Sequence, residues 1–552
     1  MDHAIGQEKE RSKIFVIALI VWITASLLRF WNINSYAGLT YDDAAYATSG
    51  RDLLLTGGGY WGDTLRPFAT WFVAGFHWLN GISIKNIAIA FAFIRSLGEL
   101  FLILAARTLF YNYPWAPLWA VSLSCASFLG VNYGKQHLAS LLCSIPLSLW
   151  LYGRYLEKET MYRWLLCATA SGFVFLSHYN TIAALVIMLG LDLIRLKFDG
   201  AKLPRILLIG TSGIATSFVT VMIFGKLSYG LSNWISYIKR VWFQILQNQN
   251  KASPQISDGF LSALISWEGI AFLLYFSALI WWLIRVVKIP AERKLLALPG
   301  LLLLGGALVL LRINLGYVSF PRLYVFALPF AWLLTAGFLA SWTSTILQKQ
   351  STTRQCVIAS GVASMALLIS ASHHALACRF SSPNVAIETY LRAHPTWKMI
   401  AWDGNPHLIT FWVGRAWCPI FQTEAEAKVH WEFMSKGEKF SKHIPKRLLQ
   451  QDHAVYLQRH NLSKICDIII LESPSIESLQ KVDCSIRQQV PHAIAINFYN
   501  GSVWNFPISL EGGGALHTQP SFSEIDPLPF VRLYDLRRQT LSPLSSVNHE
   551  GS

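Results

Sequence analysis

The chain has 552 residues, 53% of them hydrophobic and only 14% charged, where soluble domains carry about 25% charged residues. Together with a mean hydropathy of +0.38, this excludes an ordinary soluble protein and places the chain among membrane proteins. The formal net charge of +15 would direct a soluble protein toward nucleic acid; here much of the excess falls in short loops between apolar runs, so it reads as membrane orientation, with no nucleic-acid partner.

Lys9, Arg11 and Lys13 precede the first apolar run, residues 14–31. That run is long enough to span, and no small-residue cleavage site stands after it, so it reads as a signal-anchor with a cytoplasmic N-terminus. Residues 32–85 form a first external loop. Within it, residues 69–79 are apolar and aromatic, with a length that suits an interfacial or re-entrant helix. Further spans are expected at 86–109, 115–131, 138–156, 164–178, 181–196, 206–224, 260–287, 295–311, 322–347 and 356–375, about eleven in all. Charge supports the alternation. The inner loops hold Arg154, Lys158 and Arg163, then Arg195, Lys197, Lys202 and Arg205, then Arg285, Lys288, Arg293 and Lys294, then Lys349 and Arg354. Only the loop at 110–114 lacks a cation. An odd number of spans sends the C-terminus outside.

Residues 225–259 form a second external loop, with Trp234, Tyr237, Lys239, Arg240 and Trp242 at helical spacing. A helix in the headgroup layer fits that composition, as a plain anchor or as a lipid-phosphate contact alike. From about residue 376 no run could cross a bilayer. Helices are expected at 384–392, 407–413 and 424–440, and strands at 398–402, 465–471 and 531–536, which make a compact α/β domain. The Ser-rich tail from Gln539 reads as disordered. Cys125, Cys143, Cys167 and Cys356 read as packing residues. Cys378, Cys418, Cys466 and Cys484 permit two disulfides in three pairings if this part is exported.

The expected protein is therefore a polytopic α-helical membrane protein in an inner or plasma membrane. A transmembrane domain of residues 1–375 precedes an extracytoplasmic α/β domain of residues 376–552.

Tyr41-Asp42-Asp43-Ala44-Ala45-Tyr46-Ala47 follows the first span closely, so two carboxylates sit at the membrane face, with Arg51 and Arg66 soon after. Thr40 and Asp42 also suit a helix N-terminus, and that bland reading stands beside the chemical one. Arg95 lies within the second span with Glu99 one turn on, on the same helix face. A charge at that depth costs about 2.5–3.5 kcal/mol on insertion scales. Either the two neutralise each other or Arg95 faces a polar cavity. Lys135 and His137 cap the outer ends of spans three and four, and His178-Tyr179 joins spans five and six. Arg312 and Pro321-Arg322-Leu323-Tyr324 flank a short outer loop, and Pro329 is expected to kink the next span. Structural roles for these histidines and interfacial snorkelling of Arg322 are the plain alternatives.

These pieces resemble the GT-C glycosyltransferases, in particular the branch holding the protein O-mannosyltransferases and the lipid A aminoarabinose transferases. In the family's order stand Arg29 closing span one, the Tyr41–Ala47 acidic motif, Leu65-Arg66-Pro67, Phe93-Ile94-Arg95-Ser96, and Pro321-Arg322-Leu323-Tyr324 with Leu328-Pro329. The resemblance covers roughly residues 29–341. The chain departs from the pattern where Asp43 replaces the commoner Glu, Arg66 replaces Lys, and Phe68 replaces a second Pro.

The resemblance implies a polyprenyl-phosphate sugar donor and transfer with inversion on the extracytoplasmic side to a glycan, lipid or protein hydroxyl. Such a reaction needs a carboxylate base and cations for the departing phosphate. Asp42 is then the base and Asp43 its neighbour for orientation. Arg66, Arg95, Lys135 and Arg322 are the phosphate candidates. Tyr46, His137, His178, Tyr179 and Tyr324 are candidates for the substrate pocket. No nucleotide loop and no metal-ligand spacing appears, so neither cofactor nor metal is expected. A glycan ligase or polymerase fed by a polyprenyl-linked chain is the alternative. A secondary transporter should show an inverted repeat, and none is seen.

Overall fold

The computed structural model describes residues 2–36, 41–57, 66–134, 137–178, 203–239, 270–289 and 325–377 for the most part, scattered residues between them, and six strands of the C-terminal part. The chain divides into two units, Met1–Ser381 with Ser502–Ile525, and Ser382–Gly501 with Asp526–Ser552.

The first unit is helical. Its helices are α1 (Asp2–Phe30), α2 (Tyr41–Thr56), α3 (Pro67–Asn80), α4 (Lys85–Leu109), α5 (Ala116–Ala126), α6 (Phe128–Tyr133), α7 (Ala139–Glu157), α8 (Met161–Ser177), α9 (Leu203–Tyr229), α10 (Ile270–Lys288), α11 (Leu328–Leu347) and α12 (Thr352–Ala377). Among the described residues six helices are long and apolar enough to cross a membrane: Ser12–Phe30, Lys85–Leu109, Leu207–Ser228, Ala271–Lys288, Leu328–Leu347 and Thr352–Ala375. The protein is an integral membrane protein. Its α1, α9, α10 and α12 turn rows of large apolar residues outward, among them Ile20, Leu27, Leu208, Phe218, Leu273, Phe276, Val357 and Leu368, the pattern of a lipid-facing surface.

Two spans differ from the sequence reading. The expected third span is broken. Ser127 is extended (φ −66°, ψ 120°), and α5 and α6 are separate short helices on either side of it. The expected kink at Pro329 is absent, because Pro329 lies in the first turn of α11, where its missing N–H has no intrahelical partner to lose. The span expected at 181–196, and that at 295–311 for the most part, fall outside the described residues.

α4 is the central helix. On one side it meets α1, antiparallel. The Arg107 guanidinium lies 4.3 Å over the Phe15 ring, and Trp22 Nε1 donates to the Ser96 carbonyl at 2.7 Å. On the other side it meets α7 at Gly98. A Cβ there would lie 2.8 Å from Cys143 Cα and against the Leu142 carbonyl. The glycine is required by that approach. Pro146, inside α7, cannot donate to the carbonyl four residues back, which is Leu142's. α4 thus packs on an interior carbonyl of α7 that has no N–H four residues on to bond it.

Contacts also sort the two ends of the bundle. At one end Arg285 donates to Tyr113 Oη (3.1 Å) and Tyr113 Oη to Glu292 Oε1 (3.3 Å), while Arg154 pairs with Glu157 at 2.9 Å. These loops are the ones that charge assigns to the cytoplasm. The loop without a cation, 110–114, is held there by Tyr113. At the other end α3 packs on the start of α4 (Phe76–Phe93 rings, 5.7 Å), the end of α8 (Phe68–Phe173, 6.0 Å) and the end of α9 (Trp71–Phe224, 4.6 Å). In the second external loop, Trp234 is not exposed. It is buried against Gly225 and Phe175.

The second unit holds a six-stranded sheet of order β3-β2-β1-β4-β6-β5. Its strands are β1 (Met399–Asp403), β2 (Ala416–Phe421), β3 (Val455–Tyr456), β4 (Ile468–Ser473), β5 (Ile494–Tyr499) and β6 (Phe530–Asp535). Strands β1 to β4 pair in parallel, whereas β6 runs antiparallel between β4 and β5. The Ile-rich run of β4 suits a central strand covered on both faces. The helices expected at 407–413 and 424–440, the Cys378, Cys466 and Cys484 segments and the Ser-rich tail lie outside the described residues.

Candidate active site

Helix α2 carries the acidic pair. Asp42 and Asp43 occupy its first turn, where the helix dipole favours negative charge. Their side chains, with those of Lys135, Tyr179, Arg322 and Tyr324, fall outside the described residues. Of the other expected site residues, Tyr46 lies one turn beyond Asp42 and is fully buried. Its ring stacks on that of His137 (centroids 5.3 Å apart, planes 21° apart) and meets the edge of Phe91 at 6.0 Å. Arg66 stands at the N-terminus of α3, and Pro67 follows in the first turn. His178 caps the C-terminus of α8, its backbone N–H donating to the Val174 carbonyl, and is buried. The structure therefore brings Tyr46 and His137 together and sets Arg66 and His178 at the ends of two helices that pack at the same end of the bundle.

Arg95 is buried with a relative exposure of 1%, within a cluster larger than the sequence pair. Its Nη2 donates to Ser124 Oγ at 2.6 Å and to the Ser124 carbonyl at 3.2 Å, and lies 3.1 Å from Glu99 Oε1. The guanidinium sits 5.1 Å over the Trp332 ring. Glu99 Oε1 also accepts from Arg29 Nη2, from Ser124 Oγ at 3.2 Å and from Cys125 Sγ at 3.6 Å. Arg29 Nη1 reaches Ser96 Oγ at 3.3 Å. Of the two readings of Arg95, the pairing with Glu99 is present. It pairs with Glu99, yet Glu99 is shared with Arg29, so two guanidinium groups face one carboxylate. Among the described residues Arg95 Nε and Nη1 have no hydrogen-bond partner.

The segment at 134–137 joins these parts. A Cβ on Gly134 would lie 2.9 Å from Arg95 Cδ and 3.0 Å from its Nε, so only glycine lets that backbone approach the guanidinium so closely. Three residues later His137 stacks on Tyr46. The reach of three residues is at most about 11 Å.

Sequence reasoning missed His77 and Asn86, which were absorbed into an interfacial helix and a span boundary. His77 is buried in α3 between α2 and the start of α4. Its Nδ1 receives Asn86 Nδ2 at 3.2 Å and the Ser83 N–H at 3.4 Å. Both partners are donors, so the proton is on Nε2, which donates to the Ala47 carbonyl of α2 at 3.2 Å. Burial above all, with the Arg51 charge beside it, pushes the His77 imidazole down to about 4, against the opposing effect of its bond to Ala47. The signal available in sequence was an isolated His on an apolar helix, which is too common to single out.

This helical bundle, with the α2–α3 pair packed at one end and an α/β unit following in the chain, has the GT-C fold. Two crystal structures of ArnT from Cupriavidus metallidurans are similar to it. The form bound to undecaprenyl phosphate matches with a TM-score of 0.52 at 12% identity, over 94% of this chain and 97% of that one. The apo form matches with a TM-score of 0.51 at 13% identity, over 85% and 94%. The Archaeoglobus fulgidus oligosaccharyltransferase complexed with zinc and sulfate gives a TM-score of 0.47 at 15% identity, over 73% and 62%. No family model and no curated protein sequence matches the chain.

Proposed function

We propose that this protein is a membrane glycosyltransferase that moves a sugar from a polyprenyl-phosphate donor to an acceptor hydroxyl on the extracytoplasmic side. The observation that carries the reading is the segment at 134–137. It touches the incompletely neutralised Arg95 at one end and, through His137 and Tyr46, the acidic helix α2 at the other. This contact supports a reading in which the acidic first turn of α2 and the buried Arg95 act together, beside apolar outer faces that suit a prenyl chain. The ArnT structure of the same fold binds undecaprenyl phosphate.

In this mechanism Asp42 takes the proton of the acceptor hydroxyl. The hydroxyl oxygen bonds to the anomeric carbon from the face opposite the phosphate, and the bond from that carbon to the phosphate oxygen breaks with its electron pair. The sugar inverts, and polyprenyl phosphate departs carrying the new charge. Arg95, with Arg66 at the positive end of α3 and Lys135 and Arg322 from the outer loops, stabilises that charge as it forms. Asp43 orients the acceptor, and Tyr46, His137, His178, Tyr179 and Tyr324 line the sugar pocket. Mass spectrometry of lipids that co-purify with the protein tests the reading. A polyprenyl phosphate or its glycosylated form is expected; phospholipids alone, even after incubation with undecaprenyl phosphate, would contradict it.

A further inference from the structure

We propose that His77 is a positioning residue, a neutral latch that holds helix α2 and its acidic first turn in place for proton transfer. The inference rests on the reading of Asp42 as base, and extends it to a residue in another helix.

The latch has two sides. On one, Asn86 is held in a fixed orientation, since its Oδ1 accepts from Asn80 at 3.3 Å while its Nδ2 donates to the Gly81 carbonyl at 2.5 Å and to His77 Nδ1. On the other, His77 Nε2 donates to Ala47, one turn beyond Asp43. A helix carbonyl has a second lone pair, so this bond adds to the helix ladder. One turn further along α2, a Cβ on Gly50 would lie 2.7 Å from Val73 Cγ1 and 3.0 Å from the Ala74 nitrogen. Gly50 and the His77–Ala47 bond thus fix α2 against α3 at two points, and rotation of α2 about its axis is blocked. Asp42 and Asp43 precede the second of these points by about one turn.

Only the neutral ring can do this. Protonated Nδ1 would face two donors, and the new cation would stand near Arg51. Arg51 is itself paired with Asp52 (Nε to Oδ1, 2.8 Å); the other charged groups on α2, on α3 and at the start of α4 are Asp42 and Asp43 in the first turn of α2, Arg66 at the start of α3 and Lys85 at the start of α4. The neutral form is the one that burial favours. Placing a reacting group about 1 Å out of line can cost about 10²-fold, so a latch of this kind acts on turnover.

The test uses the full-length protein in lipid nanodiscs, with a panel of undecaprenyl-phosphate monosaccharides as donors, a solubilised cell-envelope extract as the source of acceptor hydroxyls, and release of undecaprenyl phosphate as the readout. His77→Ala is expected to lower kcat by about 10- to 100-fold, with donor KM changed less than about twofold, and to speed amide exchange across residues 46–50. His77→Gln retains one donor and one acceptor and is expected to restore most of both. Unchanged exchange in His77→Ala, or no restoration in His77→Gln, would overturn the latch. Asp42→Asn run alongside separates the two claims. If it turns over normally the base reading fails, and the exchange data then decide the latch on their own.

Discussion

The rings of Tyr46 and His137 stack at 5.3 Å, and through that contact the helix bearing Asp42 and Asp43 meets the segment whose Gly134 lies on Arg95. A stacked pair of this kind contributes about 0.5–1.5 kcal/mol beyond the area it buries. A double-mutant cycle of Tyr46→Leu and His137→Leu, followed by thermal unfolding in detergent, should therefore return a coupling of about that size. Additive effects would show that the two rings are neighbours without being partners.

Glu99 and Arg95 should behave unequally. Removing Glu99 takes from the buried Arg29 and Arg95 the carboxylate they share, and breaking a buried pair in this way costs about 3–5 kcal/mol. Removing Arg95 leaves Glu99 paired with Arg29, so the loss should be clearly smaller. Thermal unfolding of Glu99→Gln and Arg95→Gln reads the difference, with Glu99→Gln expected to unfold at the lower temperature. The reverse order would mean that Arg29 does not hold Glu99.

Much of this fold was legible in the sequence because hydropathy reports directly on what faces lipid. The runs at 86–109 and 356–375 became α4 and α12 within a few residues, the run at 14–31 became the apolar part of α1 (Ser12–Phe30), and Arg95 with Glu99 was recognisable from their spacing alone. Arg29 was seen only as the end of a span. Its bond to Glu99 crosses between helices 70 residues apart in sequence, and no local period encodes such a contact. Pro329 was read as a kink because proline breaks helices, yet the same residue starts α11, since proline is tolerated in a first turn. In the second unit the strands at Met399, Ile468 and Phe530 were anticipated. β2 was missed, because Cys418-Pro419 interrupts it and proline argues against an interior strand. For the candidate site, the acidic motif and Arg95 were visible, whereas the His77–Asn86 latch was not, because both residue types are ordinary at helix ends.

Acid should destabilise the α2–α3 pair. The His77 imidazole titrates near 6.5 in an unfolded chain and is pushed down to about 4 in the fold. Between those values the unfolded chain binds more protons than the folded one, so stability rises with pH. The contribution is complete above about pH 6.5 and is lost as pH falls toward about 4, on the order of 3 kcal/mol in all. Unfolding midpoints measured from pH 7 to pH 4 should show this loss in the wild type and a reduced loss in His77→Gln. Equal slopes for the two proteins would mean that His77 is not the titrating group.

The central claim is that Asp42 is the base. An ionised carboxylate can take the acceptor's proton, whereas an amide of the same shape cannot. The decisive measurement is turnover of undecaprenyl-phosphate monosaccharides by Asp42→Asn in proteoliposomes supplied with a cell-envelope extract as the source of acceptor hydroxyls, with binding of undecaprenyl phosphate followed in parallel. General bases contribute about 10²–10⁴-fold, so turnover should fall by that factor while binding stays within about twofold of the wild type. Full turnover by Asp42→Asn, or loss of binding in step with turnover, would contradict the account.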